Sequence, residues 1–388
     1  MALSPVGPAK GMPVSKHSLQ ICKLFGIPIR LHMSWLPLFA LITSTLASAY
    51  FPAHYPWWPP ALYYGLAAVT SLLLFASVLA HELAHALVAR HHGLKVHAIV
   101  LFLLGGVSEI DGEPQAPRAE FQMAVAGPLA SILLGTVTGA LWFWAWLRGY
   151  SQPLTAVLGY MGGLNLSLGL FNLIPGFPLD GGRILRAMLW RLSHSVEWAT
   201  RWATRCARLI ALTLFSIGIW QAVSSSLVNG LWLAAIAGFL DTTARRSYEQ
   251  VLLRSRLAGH TVGEAMARDY PSLSPDTTLQ EIADCGLLEA GPRCIPLLED
   301  GMLRGLLTAR RVHSLPRAEW PRRTARQAMV PASQLHAVGP SEALLEALSA
   351  LGSDDEPLPV LQDGRLVGIL PAERIAAFAD LQLSLGRR

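Results

Sequence analysis

Charged residues are scarce in this sequence and are absent from long stretches of it. Only 15% of the 388 residues are Asp, Glu, Lys or Arg, whereas 52% are hydrophobic. No charged residue occurs in 31–80, 121–147, 149–179 or 209–240. Runs of this length without charge are not expected in segments that face water. A helix needs roughly 20 apolar residues to cross a hydrocarbon core of about 30 Å. The sequence therefore predicts a polytopic membrane protein.

The first and last charge-free runs are each long enough for two helices. Prolines interrupt the first run at 50–60, and a serine-rich stretch at 223–230 divides the last. The sequence thus predicts a transmembrane domain over 1–247 with about six helices. The expected spans are 33–50, 61–88, 121–147, 155–175, 206–223 and 230–243.

Cysteine is also scarce, and the sequence predicts no cleavable targeting segment. The four cysteines form no CxxC pair, which indicates neither a thiolate metal site nor disulfides. The first 30 residues contain no compact apolar region followed by a small-residue cleavage site. We therefore expect the first span to act as its own insertion signal.

Basic residues gather on one side of the expected spans. Lys10, Lys16, Lys23 and Arg30 precede the first span, and six arginines crowd the link between spans four and five. Short cytoplasmic loops carry an excess of Lys and Arg. We therefore expect a multi-pass protein of the cell (inner) membrane with both termini in the cytoplasm. The net charge of +5 is then a topology signal and predicts no nucleic-acid partner.

A motif for metal-dependent hydrolysis lies at the cytoplasmic end of the second span. His81-Glu82-Leu83-Ala84-His85 puts two imidazoles on one helical face, where both can bind one zinc ion. Glu82 is then placed to take a proton from a zinc-bound water that attacks a carbonyl carbon. Ionisable residues at membrane depth are costly and are therefore expected to be functional. Histidine and carboxylate ligands would also accept cobalt or manganese.

A catalytic zinc needs a third protein ligand, and Asp180 is the predicted one. It is the only carboxylate in its region and follows a segment rich in proline and glycine, 172–179, which can line a polar cavity. Competing carboxylates lie in or beside a polar loop, where solvated acids need no special role. They are Glu109, Asp111, Glu113 and Glu120. His91, His92 and His97, which follow the zinc motif, are expected to be solvated.

Together these motifs resemble the site-2 protease family of intramembrane metalloproteases. The resemblance is carried by His-Glu-x-x-His at 81–85, Asn-x-x-Pro at 172–175 and Pro-Leu-Asp-Gly at 178–181. It implies a membrane-anchored protein substrate, cut in or near its transmembrane segment within the lipid bilayer. The site residues it implies are the zinc ligands His81, His85 and Asp180, the general base Glu82, and Asn172 for substrate or oxyanion binding.

Two further stretches resemble that family. Val100–Val107 is too short to cross a membrane and predicts an apolar strand with a glycine bend, similar to the family's membrane-associated sheet. An exposed edge there could pair with an extended substrate, although a purely structural hairpin is an equal alternative. Ala126-Gly127-Pro128 resembles a family motif for close helix packing, and we assign it no chemistry.

The chain repeats itself after Asp241. Thr261–Met266 recurs as Thr324–Met329, and Ile295–Gly301 recurs as Leu358–Gly364, both at a spacing of 63 residues. Each unit predicts a helix, a strand, an Asp-Gly hairpin, a second strand and another helix. The fold class is therefore a polytopic α-helical membrane protein with a C-terminal α/β domain. The repeats resemble tandem cystathionine-beta-synthase (CBS) domains, expected over 259–315 and 322–382.

In that family the paired repeats often bind an adenine nucleotide, and an Asp holds the ribose. Here Arg311 and Arg374 stand at the corresponding positions, so an adenine-nucleotide ligand stays open. The CBS pair is expected to be regulatory and to offer a surface for dimer formation. The main alternative for the whole chain is a CBS-gated membrane transporter or channel for ions, since membrane carboxylates also mark ion routes. Glu82 favours the protease because a transport site needs no general base.

Overall fold

The chain forms two compact units. The computed structural model describes residues 18–103, 105–112, 114–285, 294–351 and 357–385. Among these residues, one unit contains 18–249, and the other contains those from 250 to 385. Apolar helices dominate the first unit, and two small hydrophobic cores organise the second.

Six helical segments are long and apolar enough to cross a membrane, which confirms the predicted membrane fold. The first segment, Trp35–His54, comprises helix α1 (Trp35–Thr45), a π-helical stretch (Leu46–Tyr50) and helix α2 (Phe51–His54). Helix α6 is a shorter helix that links the fourth and fifth segments. The remaining helices are α3 (Pro60–His91), α4 (Pro117–Leu147), α5 (Gln152–Asn172), α6 (Asp180–Ser193), α7 (Val196–Ser224) and α8 (Leu227–Leu257).

Several helices extend beyond the expected spans. Helix α3 continues to His91, α7 begins at Val196 and α8 continues to Leu257. The expected spans end close to where charged residues begin. A helix, however, keeps its internal hydrogen bonds in water as well as in lipid and can continue past that point. The charged turns of α7 and α8 therefore continue the apolar parts of the same helices.

A four-stranded sheet accompanies the first transmembrane helices. Its strands, in spatial order, are β1 (Ser18–Leu24), β2 (Ile27–His32), β3 (Val96–Phe102) and β4 (Gly105–Ile110). The antiparallel β3–β4 hairpin confirms the predicted strand with a glycine bend. The β1–β2 hairpin was not predicted, and β2 runs parallel to β3. Strand β4 forms one edge of the sheet.

Helix α4 is central to the packing of the first unit, because it packs against α3, α5 and α6. Most of its buried residues are small, among them Ala124, Gly127, Ser131 and Gly135. Small side chains allow close approach in a membrane, where helix association depends on packing rather than on hydrophobic burial. Helices α3 and α6, which carry the predicted metal ligands, therefore both pack against α4.

The second unit contains two copies of the predicted hairpin. The turn residues Asp300-Gly301 and Asp363-Gly364 all have positive φ, between 52° and 78°, as a type I′ turn requires. The strands of both hairpins belong to one sheet. The elements are α9 (Val262–Ala265), α10 (Leu279–Asp284), β5 (Cys294–Glu299), β6 (Met302–Thr308), α11 (Ala309–His313), α12 (Ala325–Ala328), β7 (Val330–Pro331), α13 (Leu344–Ala350), β8 (Leu358–Gln362), β9 (Arg365–Leu370) and α14 (Ala372–Leu385).

In the second unit, the first short helix of each sequence repeat is buried in the hydrophobic core that the other repeat forms. Val262 and Ala265 of the first repeat are buried with Leu344 of the second. Ala325 of the second repeat is buried with Leu297 of the first. Helices α9 and α12 are only four residues long, so their apolar side chains depend on this exchange for burial. The two repeats therefore interlock and do not form separate cores.

Candidate metal centre

Two histidines of α3 and one aspartate of α6 bring their ligand atoms together. Nε2 of His81 and Nε2 of His85 lie 3.1 and 3.2 Å from Asp180 Oδ2, and 3.2 Å from each other. Within the described ranges, this is the one group of three His, Cys, Asp or Glu residues that could hold a metal ion. The fold thus brings the three predicted ligands together, although Asp180 lies 99 residues after His81.

The spacing of these atoms fits a tetrahedral zinc ion. At metal–ligand distances of about 2.0–2.1 Å, two ligands of a tetrahedral ion lie about 3.3 Å apart. The observed separations of 3.1–3.2 Å agree with that value within about 0.2 Å. His81 and His85 are only 6% and 8% exposed, so the group is shielded from bulk water.

The outer ring nitrogens of both histidines contact helix α4. His85 Nδ1 donates to the Met123 carbonyl oxygen at 2.7 Å, so a neutral His85 directs the Nε2 lone pair toward the cluster. His81 Nδ1 lies 2.9 Å from Ser131 Oγ. Outer hydrogen bonds of this kind set the orientation and tautomer of metal-binding histidines. Sequence reasoning missed Ser131, although it lies one helical turn after Gly127 and therefore on the same face.

Gly127 allows α4 to approach the two imidazoles. A Cβ built on Gly127 would lie 2.6 Å from His81 Nε2 and still closer to His85 Nε2. An ordinary side chain at this position would displace both rings. The close packing expected at Ala126-Gly127-Pro128 is therefore present, and the groups that pack there are the candidate ligands.

Asp180 is the first residue of α6, and the irregular segment before it sets its position. Leu179 is extended, with φ −71° and ψ 158°, and the helix begins at the next residue. A Cβ on Gly182 would lie 2.5 Å from the Phe177 nitrogen, so glycine permits the segment to fold back against the start of α6. Asp180 Oδ2 faces the histidines, and the side chain is 15% exposed.

A buried ion pair attaches α6 to α4. Arg186 Nε donates to Glu120 Oε1 at 2.6 Å, and Arg186 Nη2 contacts the same oxygen. Glu120 is 1% exposed, and the Arg186 guanidinium also lies 5.6 Å from the centre of the Phe177 ring. Glu120 was an alternative metal ligand, but its partner in the structure is Arg186. The pair holds the helix that begins at Asp180.

Glu82 faces the edge strand β4. Ser108 Oγ donates to Glu82 Oε2 at 2.9 Å and lies 3.3 Å from the Glu82 carbonyl oxygen. Among the described strands, β4 pairs with β3 alone, so the carboxylate contacts the outermost strand of the sheet. Ser108 was not predicted as a site residue. Its place directly after the apolar stretch that predicted the strand was the available signal.

Among the described residues, the other candidates from the sequence make hydrogen bonds elsewhere. The Asn172 side-chain amide donates to the Leu168 carbonyl at 3.0 Å within α5, and the described contacts include no hydrogen bond from it to the cluster. Asp111 pairs with His97 at 2.5 Å. Glu113 lies outside the described residues.

Known proteins resemble this chain along nearly its whole length. Residues 69–149 and 147–214 match peptidase family M50, and residues 262–315 match the CBS domain. Two relatives are named as putative zinc metalloproteases. Rip3 of Mycobacterium tuberculosis is 33% identical and covers 94% of this chain and 94% of its own. The other, sll0528 of Synechocystis, is 30% identical and covers 95% and 96%. The solved site-2 protease of Methanocaldococcus jannaschii is 30% identical over 59% of this chain and 94% of its own, with a TM-score of 0.39.

The match to the peptidase family includes the whole cluster. His81, Glu82 and His85 fall in its first matched range, and Asp180 falls in its second. The two long relatives also extend through the CBS region. The chain therefore belongs to peptidase family M50, the site-2 protease family of membrane zinc metalloendopeptidases, and carries a C-terminal CBS domain.

Proposed function

We propose that this protein hydrolyses a peptide bond in or near the transmembrane segment of a membrane-anchored protein. The observation that carries the proposal is the convergence of His81, His85 and Asp180, with Glu82 beside them, on helices of a membrane domain. Zinc held by the three ligands would supply a Lewis acid that lowers the pKa of water toward neutrality. The buried setting favours this reaction, because charges act more strongly away from bulk water.

Glu82 is the proposed general base. Its carboxylate accepts a proton from the attacking water while the water oxygen bonds to the carbonyl carbon. Glu82 then gives that proton to the amine nitrogen as the C–N bond breaks. The Ser108 hydroxyl holds Oε2, which orients the carboxylate and leaves Oε1 for the water.

The edge strand β4 is the proposed docking site for the substrate. A peptide bond inside a helix is shielded by the helix's own turns, so the segment to be cut must first become extended. Pairing with a sheet edge satisfies the backbone groups that unwinding exposes, and these groups are costly to leave unpaired in a membrane. Because Ser108 belongs to β4 and contacts Glu82, a peptide paired with this edge would lie beside the base.

Asn172 is proposed to bind the substrate or to stabilise the oxyanion. It ends helix α5, shortly before Asp180 in the sequence. One amide N–H bonds to Leu168, and a primary amide has a second N–H to donate. Asn172→Ala should lower cleavage and leave the zinc content unchanged.

The C-terminal unit is proposed to regulate the protease and to form dimers through the CBS pair. Arg311 Nη1 donates to the Met329 carbonyl at 3.1 Å, and Arg374 Nη2 donates to the Met266 carbonyl at 3.3 Å. The arginines at the positions expected to hold ribose therefore brace the pair. An adenine nucleotide would need other polar groups. We further propose the cell (inner) membrane as the location, with both termini in the cytoplasm.

The test is cleavage of a tagged single-span substrate in membranes, with bound zinc measured in parallel. Glu82→Gln should retain zinc and lose cleavage by about 100-fold or more, the usual contribution of a general base. Glu249→Gln, an exposed change on α8, is the matched control and should cleave normally. A CBS-gated ion transporter, the alternative, predicts transport that survives Glu82→Gln and no cleavage by either form. Equal cleavage by both forms would also reject the proposal.

A further inference from the structure

A cleft between α7 and α8 combines a basic rim with an apolar wall. The cleft has a volume of about 480 Å³. We propose that it binds an anionic phospholipid, with the phosphate at the arginines and an acyl chain along the wall. The charged residues at the rim are Arg205, Arg208, Asp241 and Arg245, and the apolar residues include Leu209, Leu212, Phe215, Ala237 and Gly238.

The arginines lie at the depth of lipid headgroups. Helix α7 has no charged residue from Leu209 to Ser224, and α8 has none from Leu227 to Leu240. At 1.5 Å per residue these stretches rise about 24 and 21 Å, less than the hydrocarbon thickness of about 30 Å. The charged residues that flank these stretches, Arg208 before the first and Asp241 after the second, therefore lie close to the hydrocarbon boundary, where lipid phosphates are found.

The charges of the cleft suit a single anionic headgroup, because three arginines and one aspartate leave a net positive charge. Asp241 accepts a hydrogen bond from Arg208 Nε at 3.1 Å across the two helices, and one from Arg245 Nε at 2.8 Å. These bonds hold two guanidinium groups together and leave the Nη atoms of Arg208 for a phosphate. The Arg205 guanidinium lies 4.8 Å from the centre of the Trp202 ring, and indole is favoured at the membrane interface.

The wall beside the arginines is open along its length. Leu209, Leu212 and Phe215 are between 46% and 66% exposed. A Cβ built on Gly238 would meet no atom within 4 Å, so α8 has open space at this point. An acyl chain is the apolar group that a membrane supplies at this depth. A lipid whose phosphate lies at the arginines would place its chain along this wall.

The proposal is tested on the full-length protein by native mass spectrometry, with phosphatidylglycerol and phosphatidylcholine of the same acyl composition as probes. The double variant Arg205→Gln/Arg208→Gln should weaken phosphatidylglycerol binding about 30-fold. This estimate multiplies a loss of roughly fivefold for each arginine at an anionic surface. Gly238→Leu should weaken it as well, because the new side chain fills the wall. Two changes outside the cleft are the controls. They are Arg148→Gln, at the C-terminal end of α4, and Gly65→Leu, where a Cβ also meets no atom within 4 Å.

Equal phosphatidylglycerol binding by the double variant and the wild type would overturn the proposal. Equal wild-type affinity for the two lipids would do the same. Displacement of the lipid by millimolar inorganic phosphate, or unchanged binding by Gly238→Leu, would overturn the role of the acyl chain. If the double variant fails to fold, Arg205→Gln alone should still weaken phosphatidylglycerol binding about fivefold, and unchanged binding would reject the site.

Discussion

Gly127→Ala is expected to disrupt zinc binding without unfolding the protein. The added Cβ would lie 2.6 Å from His81 Nε2, so the ring must move about 0.8 Å to reach an ordinary contact of 3.4 Å. The His85 ring must move further. Metal–ligand distances tolerate changes of only about 0.2 Å. Loss of one outer contact to a metal ligand costs about 10- to 100-fold in affinity, so displacement of two ligands should cost about 100-fold or more.

Chelator competition and metal analysis of the purified protein measure this effect, and thermal unfolding in the presence of chelator checks the fold. Gly139→Ala is the matched control, because it lies on the same helix and its Cβ would meet no atom within 4 Å. Wild-type zinc affinity in Gly127→Ala would refute the assignment of His81 and His85 as ligands. If Gly127→Ala alone does not fold, Ser131→Ala gives the deciding measurement, with an expected loss of about tenfold.

Contacts around the site and in the CBS pair lead to three other expectations. Ser108→Ala should slow cleavage about tenfold with unchanged zinc content, and Ser108→Thr should restore it; equal rates would remove Ser108 from the orientation of Glu82. Glu120→Gln should lower the free energy of unfolding by about 3–5 kcal/mol in denaturant, because Arg186 stays buried without its counter-charge. Arg374→Ala should lower the thermal midpoint of the second unit by calorimetry, and an unchanged midpoint would show that Arg374 does not brace the pair.

The features that were predictable from the sequence are those that local chemistry determines. A charge-free run marks a segment that can lie in the hydrocarbon core, so the six spans were recognised. Their ends were not, because the helices continue beyond the charge-free runs. The Asp300-Gly301 and Asp363-Gly364 turns were recognisable because few residues accept two consecutive positive φ angles. The spacing of His81 and His85 similarly needs only a helix to place both on one face.

The features that were missed depend on contacts between distant segments. Strand β1 is mostly exposed, and its hairpin joins the sheet through β3, far along the chain. Ser131 contacts His81 from a different helix, so no local pattern marks it. The interlocked CBS repeats bury the same residue types whether or not they exchange their first segments. The pattern of a repeat therefore cannot distinguish the two arrangements.

Helix α4 supports all three candidate ligands, although it supplies none of them. Met123 and Ser131 bond to the outer nitrogens of the two histidines, and Gly127 gives the rings room. Near the start of the same helix, Glu120 pairs with Arg186 on the helix that begins at Asp180. A shift of α4 would therefore move contacts to all three ligands together. The geometry of the metal centre should accordingly respond to the packing of α4 against α3 and α6, and a partner or lipid that alters this packing would change metal binding without contacting the metal.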